Sequence, residues 1–220
     1  MKVLITGGCG FIGTNLSTFL KKKGYNISTI DNLSRRGSIF NYQILKNLKI
    51  KNYRFDISNG KNLCDPDVVA KMPACDVLVH MASINGTRLF YETPLEVAFN
   101  NTIPTINLLK KYNATSTKFV YTSTCEIFNS TVDNNLHPVP TDETVSVMFE
   151  NINNPRWSYS IPKALGENLV ANSGLEYLII RYFNIYGPRQ KDHFISEFVD
   201  RCKNGEYYIK GNDTRSFWRS

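Results

Sequence analysis

Two spacings of apolar residues alternate along this chain. Lys2–Thr6 is a short, mostly apolar run that ends in Gly7-Gly8-Cys9-Gly10, and beyond it Phe11, Ile12, Leu16, Phe19 and Leu20 recur every three or four positions as far as Lys21-Lys22-Lys23-Gly24. The first run reads as a strand and the second as an amphipathic helix with a cationic last turn and a glycine stop. The alternation continues: Tyr25–Ile30 reads as a strand, Ile39–Lys49 as a helix, Tyr53–Ile57 as a short third strand and Cys75–Ser83 as a strand buried on both faces. Glu96–Tyr112 reads as a long helix despite Pro104, Lys118–Thr124 as a strand rich in β-branched and aromatic residues, Tyr159–Ala171 as a helix and Leu175–Phe183 as a strand. Polar, proline-containing Asn129–Pro155 reads as a long connection on the rim of a cleft. Strands separated by helices predict an α/β fold, a doubly wound parallel sheet with helices on both faces. The pattern breaks after Gly187-Pro188, which sets domain bounds of 1–187 and 188–220.

The glycines give this sheet a chemistry. Between a strand and a helix, Gly7 and Gly8 suit a tight turn, Gly10 lets a diphosphate approach the backbone, and Gly13 lets helix and strand pack closely, while the helix start presents free N–H groups to phosphate. Asp31 ends the second strand, where a carboxylate accepts ribose hydroxyls, so the first domain is expected to be Rossmann-like and to bind NAD. Arg35 and Arg36 could neutralise a 2′-phosphate, but Asp31 disfavours one, and NAD is expected over NADP. Asp56 is expected near the adenine amino group. His80, at the end of a buried strand, reads as structural. Tyr159 and Lys163 are four residues apart and share a helical face; a fixed cation near a phenol favours the phenolate, which makes this pair the strongest catalytic candidate. Pro162 is expected in the first turn of its helix.

Composition narrows the field little further. The chain has 220 residues and a formal net charge of +7, which suits acidic ligands. Its lysines fall at helix ends without an aromatic platform, so nucleic acid is not expected. Five scattered cysteines (Cys9, Cys64, Cys75, Cys125, Cys202) form no Cys-x-x-Cys pair and read as reduced thiols, with no metal site expected. No apolar run has the length of a membrane helix, and the first strand begins at once, so a cytoplasmic protein is expected.

Taken together, Thr6–Gly13, Asp31-Asn32-Leu33-Ser34, Asp56-Ile57, His80-Met81-Ala82-Ser83, Asn101, Ser123-Thr124-Cys125-Glu126, Tyr159 with Lys163, Arg181–Gln190 and Thr214–Phe217 resemble the extended short-chain dehydrogenase/reductases, specifically the NAD-dependent epimerase/dehydratase group acting on nucleotide sugars. The resemblance implies cofactor contacts from Gly7, Gly10, Phe11, Ile12, Gly13, Asp31, Asn32, Asp56, Ile57, Met81, Ala82, Ser83, Asn101, Tyr159 and Lys163. It implies that Tyr159 removes a proton from a sugar hydroxyl, usually at C4, with Lys163 lowering its pKa, Thr124 sharing the sugar oxygen, and Glu126 serving either as an acid/base at C5 or as a strand-end carboxylate bonded to backbone N–H groups. Asn184, Arg189 and Arg215 are implied as nucleotide-diphosphate contacts. Members of the group continue well past Thr214–Phe217, so 188–220 is expected to be an incomplete substrate-binding part. Epimerisation is the leading expectation. UDP-glucuronate decarboxylase-like or dehydratase chemistry is the alternative, since Asn154–Tyr159 is similar to the decarboxylases' approach to their tyrosine. Cys125 stands where one dehydratase group has the aspartic acid that protonates the leaving hydroxyl. An NAD-binding module without turnover is the alternative of another class, and a homodimer through Glu96–Tyr112 and Tyr159–Ala171 is expected by the same resemblance.

Overall fold

The computed structural model describes residues 1–58, 66–136, 140–191 and 194–208. Within them six strands, β1 (Lys2–Thr6), β2 (Asn26–Ile30), β3 (Lys51–Tyr53), β4 (Val77–His80), β5 (Lys118–Thr124) and β6 (Tyr177–Tyr182), form one sheet in the order β3-β2-β1-β4-β5-β6. Every neighbouring pair is parallel. The strand order reverses between β1 and β4, and the crevice beyond their carboxyl ends is where sheets of this kind take ligands.

The sheet separates two cores because successive side chains of a strand point to opposite faces. Val3 and Ile5 of β1 and Val79 of β4 enter one core with Leu45, whereas Leu4 and Leu78 enter the other with Leu108, Tyr112 and Val170. The first is covered by α1 (Phe11–Lys22) and α2 (Ser38–Asn47), the second by α5 (Pro94–Tyr112) and α7 (Trp157–Ala171). Shorter helices complete the described chain: α3 (Pro66–Ala70), α4 (Thr87–Glu92), α6 (Asn129–Asp133) and the amphipathic α8 (Phe194–Lys203). The α/β reading of the sequence is thus correct in kind, with helices on both faces.

Three local expectations need correction. The third strand is Lys51–Tyr53 rather than Tyr53–Ile57, because its pairing with β2 ends at Tyr53 and the Asp56 side chain then accepts from the Ser58 amide at 2.8 Å, turning the chain. Pro162 lies in the second turn of α7, since that helix already starts at Trp157. The connection read from Asn129 contains α6, which follows directly on a 3-10 turn at Cys125–Phe128.

Candidate active site

The β1–α1 loop is shaped by atoms that leave no room for side chains. Gly7 has φ +68°, and a Cβ on Gly13 would lie 2.3 Å from the Gly7 carbonyl oxygen and 2.7 Å from Gly8 Cα. A Cβ on Gly8 would meet Thr29 at 2.2 Å. At Gly10 the one atom of the described residues within reach would be the Gly7 oxygen, at 3.1 Å, so this glycine borders a space that no described residue fills. Gly10 is the N-cap of α1, whose first turn carries neither a side-chain cap nor an acidic residue. The open cradle and uncapped helix start fit a dinucleotide diphosphate. Phe11 packs beside Gly187, and Ile12 lies in the same first turn.

Asp31 fixes this loop to the end of β2. Its Oδ2 accepts from the Cys9 amide (2.9 Å) and its Oδ1 from the Leu33 amide (2.8 Å). Burial raises its pKa, and these two hydrogen bonds pull the other way. Asn32 Nδ2 donates to Asp56 Oδ2 at 2.8 Å, joining the tips of β2 and β3. Ile57 lies in the core, and its carbonyl accepts from Asn107 Nδ2 at 2.8 Å.

At the end of β4, Thr6 Oγ1 accepts from the Met81 and Ala82 amides, both at 3.1 Å. Its own proton therefore goes to His80 Nδ1, 2.7 Å away, which assigns the ring proton to Nε2 and directs it to Thr105 Oγ1 at 3.1 Å. Burial holds the His80 pKa well below its ordinary value, with the Lys163 charge acting in the same direction. His80 is a bonded core residue of the sheet. Ala82 backs onto Gly7, and Asn101 Nδ2 ties α5 to the following loop through the Ile84 carbonyl at 2.9 Å.

The chemical groups gather where β5 ends. Thr124 Oγ1 accepts from the Glu126 amide at 3.2 Å, capping the 3-10 turn while keeping its own proton to donate. Tyr159, 7% exposed, lies against the Ser83 and Thr124 hydroxyls, and its ring stacks on Phe90 with centroids 5.3 Å apart. Burial pushes the phenol up to about 12, the two hydroxyls lower it, and the charges of Glu126 and Cys125 raise it. Lys163, 2% exposed, donates Nζ to the Thr122 carbonyl at 2.8 Å and stands 5.9 Å from the Tyr159 ring centroid. Burial lowers it to about 8, and no carboxylate pairs with it among the described residues. The expected depression of Tyr159 by Lys163 does not appear in the protein alone, where desolvation of the phenol is the largest effect. An ammonium with one acceptor among the described residues retains two donor positions for a ligand's hydroxyls.

Glu126 is bonded by side chains rather than by backbone N–H groups. Its Oε2 accepts from Asn129 Nδ2 and from Arg156 Nη2, the latter at 3.3 Å. Phe90 and Asn129 were invisible as site residues in the sequence, whereas Arg156 stood in the Asn154–Tyr159 stretch, three positions before Tyr159, without a role assigned to it. The structure does not bring Asn184 or Arg189 into this cluster by any hydrogen bond. Asn184 is exposed beyond β6, whereas Arg189 bonds Asn15 of α1 and borders a cleft with Gly37, Phe40, Asn41 and Lys191. Arg215 and Thr214–Phe217 lie outside the described residues, as does Cys64.

A model of the NAD dependent epimerase/dehydratase family matches residues 3–219. Among curated proteins, the UDP-N-acetyl-alpha-D-glucosaminuronate decarboxylase of Bacillus cytotoxicus is 30% identical over 98% of this chain and 66% of its own length. A putative UDP-glucose 4-epimerase of Methanocaldococcus jannaschii is 30% identical over 98% of this chain and 68% of its own length. Among solved structures, a UDP-galactose 4-epimerase matches with a TM-score of 0.71 and 26% identity, covering 93% of this chain and 63% of its own. Bordetella bronchiseptica WbmF, solved in complex with NAD+ and UDP, matches with a TM-score of 0.66 and 25% identity over 86% of this chain and 50% of its own. The chain spans about half to two thirds of the length of the curated relatives it matches.

Proposed function

We propose, from the premise that the chain belongs to the NAD dependent epimerase/dehydratase family, that it acts on a nucleotide sugar by oxidising a ring hydroxyl, at C4, and resolving the keto sugar that results. The observation that carries this reading is the cluster of Ser83, Thr124 and Tyr159 oxygens beside buried Lys163, at the carboxyl edge of the sheet. NAD, the cofactor of the family, supplies the acceptor for the sugar's hydrogen when bound. The glycine loop would hold its diphosphate and Asp31 its ribose, with Asn32, Asp56, Met81, Ala82 and Ser83 along the groove.

Tyr159 takes the proton from the sugar hydroxyl and later returns it, while Thr124 donates to the same oxygen. With a pKa of about 8, Lys163 is charged at neutral pH and supplies the cation that a phenolate needs. Epimerisation asks for nothing more than these groups and space for the keto sugar to turn over, and it is the first reading. Decarboxylation is the second, favoured by the Glu126–Arg156 pair and by the 30% identical decarboxylase. A dehydration that requires a carboxylic acid at position 125 is disfavoured by Cys125.

The same reading takes 1–187 as the NAD-binding domain and 188–220 as the start of a substrate-binding part, with Asn184, Arg189 and Arg215 near the nucleotide. Leu95 and Phe99 of α5 and Leu165 of α7 are exposed and offer a face to a second copy. No described helix is long and apolar enough to cross a membrane, and we assign the protein to the cytoplasm. Incubation with NAD and a panel of UDP-, GDP-, CDP- and dTDP-sugars tests the proposal. Unchanged mass with altered stereochemistry means epimerase, loss of carbon dioxide means decarboxylase, and loss of water means dehydratase. NAD binding with no turnover on any sugar would replace the proposal with a binding module.

A further inference from the structure

The two halves of the chemical cluster ride on elements that the whole connection separates in sequence. Tyr159 and Lys163 belong to α7, whereas Thr124 ends β5 and caps the 3-10 turn Cys125–Phe128. Gly166 lets α7 rest directly on β5, since a Cβ there would lie 2.0 Å from the Tyr121 hydroxyl oxygen. That contact sets the height of the helix above the sheet but not its position across it. Arg181, near the carboxyl end of β6 and level with Ser123, supplies the sideways hold. Its Nε and Nη2 donate to Glu167 Oε1 and Oε2 at 2.9 and 2.7 Å, a two-pronged bond one helical turn beyond Lys163. Its Nη1 donates to the Glu143 carbonyl at 2.7 Å, in the connection. Its guanidinium carbon stands 4.8 Å from the centroid of the ring of Phe128, the last residue of the turn. Each guanidinium nitrogen is thus engaged within the protein, and what it engages surrounds the site rather than entering it. The connection is tied to the turn as well: Val145 is buried with Ile127 and Phe128, and Thr131 Oγ1 donates to the Ser146 carbonyl at 2.8 Å. It then leads to Trp157, where α7 begins and whose indole donates to the Glu150 carbonyl.

We propose that Arg181 is a positioning residue: by holding Glu167, the Glu143 carbonyl and the Phe128 ring at once, it fixes the helix that carries Tyr159 against the turn that orients Thr124, and so sets the gap in which the sugar hydroxyl must fit. The inference rests on the reading of this cluster as the oxidising site. A planar fork suits the task, because an ammonium in its place is a point charge that could meet Glu167 but not the carbonyl and the ring as well. The hold matters to rate because misplacing reacting groups by about 1 Å can cost about 100-fold even when the cause lies away from the chemistry. Arg181 itself moves no proton.

The test separates clamping from mere stability by removing the ion pair whole. R181M leaves Glu167, with a side chain only 12% exposed, without its partner, and should lower the melting temperature by about 5–10 °C. E167M/R181M leaves no charge behind and should regain most of that loss. Its kcat on the sugar turned over by wild type should nevertheless stay down by about 10- to 100-fold, with NAD affinity within about twofold of wild type. R181K should melt near wild type and recover only part of kcat. A double variant with wild-type kcat would overturn the proposal by reducing the pair to a stabilising one, as would full activity in R181K. A second readout needs no turnover. The Trp157 indole N–H, bonded to the connection at Glu150 and assigned in 15N spectra with Trp218→Phe, should shift or broaden in E167M/R181M; an unchanged resonance would overturn the clamp. Failure of the functional reading shows separately, as wild-type protein that turns over no nucleotide sugar, and the indole resonance then still decides the clamp.

Discussion

On the β1–α1 side of the crevice the working groups are backbone atoms; on the β5–α7 side they are side chains. Gly7, Gly8 and Gly13 leave spaces too small for a Cβ, and Asp31 spends both oxygens on loop amides. Nothing there has to change its protonation to bind a diphosphate. Across the crevice, Tyr159 is pushed up to about 12 and Lys163 down to about 8 because both are buried. The difference locates the energetic cost of function: the cofactor side is built by exclusion around one buried carboxylate whose desolvation two amide bonds partly offset, whereas the chemical side stores an ammonium in a place that disfavours it.

Three substitutions probe that contrast. Gly13→Val would drive methyl groups into the Gly7 carbonyl, where only backbone could yield; overpacking of this kind costs about 1–3 kcal/mol or more, and calorimetry should find NAD affinity down by about 100-fold or more. Retained affinity would break the claim that the loop works by exclusion. Tyr159→Phe should cut sugar turnover by about 1,000-fold, within the span of general acid–base contributions, while NAD affinity stays within about twofold, because phenylalanine keeps the stack on Phe90. A parallel loss of affinity would erase the separation between the two sides.

Lys163→Met gives the smallest and most diagnostic effect. The folded-state value of about 8 lies below the ordinary 10.5, so the unfolded chain binds the proton more tightly and folding bears about 3 kcal/mol at any pH below about 8. Removing the charge should raise the melting temperature of the cofactor-free protein at pH 7 by about 5 °C, after allowing for the lost bond to the Thr122 carbonyl. The advantage should shrink as pH climbs from about 8 to 10.5, since the wild-type lysine gives up its proton over that window on folding. A melting curve with no such trend would mean that Lys163 is not stored at a cost.

What could be read in the sequence follows from the same division. Lys2–Gly13 and Asp31 were legible because the constraints are local: apolar run, glycines and carboxylate all act within one strand-turn-helix unit and the next strand. β5 was legible to the residue, since its β-branched and aromatic run ends at Thr124. Pro162 was misplaced because α7 begins earlier, at Trp157, whose indole is anchored to Glu150 from the connection, a contact no local pattern announces. Phe90 lies on a six-residue helix too short to show a periodicity. The Tyr159–Lys163 spacing was visible, but the sign of the net effect on the phenol was not, because burial is a property of the assembled core. Asn129 and Arg156 acquire meaning only through Glu126, one across a single turn and the other 30 residues away.

The proton that Thr6 assigns to His80 Nε2 has a use beyond holding the sheet. It is sealed between β4 and α5 on a ring that stays neutral, so it can leave for solvent only when β1, β4 and α5 come apart. A nitrogen-bound imidazole resonance with exchange as slow as the core amides would therefore act as a clock for opening of the strand-order reversal itself, read from a histidine that takes no part in the chemistry above it.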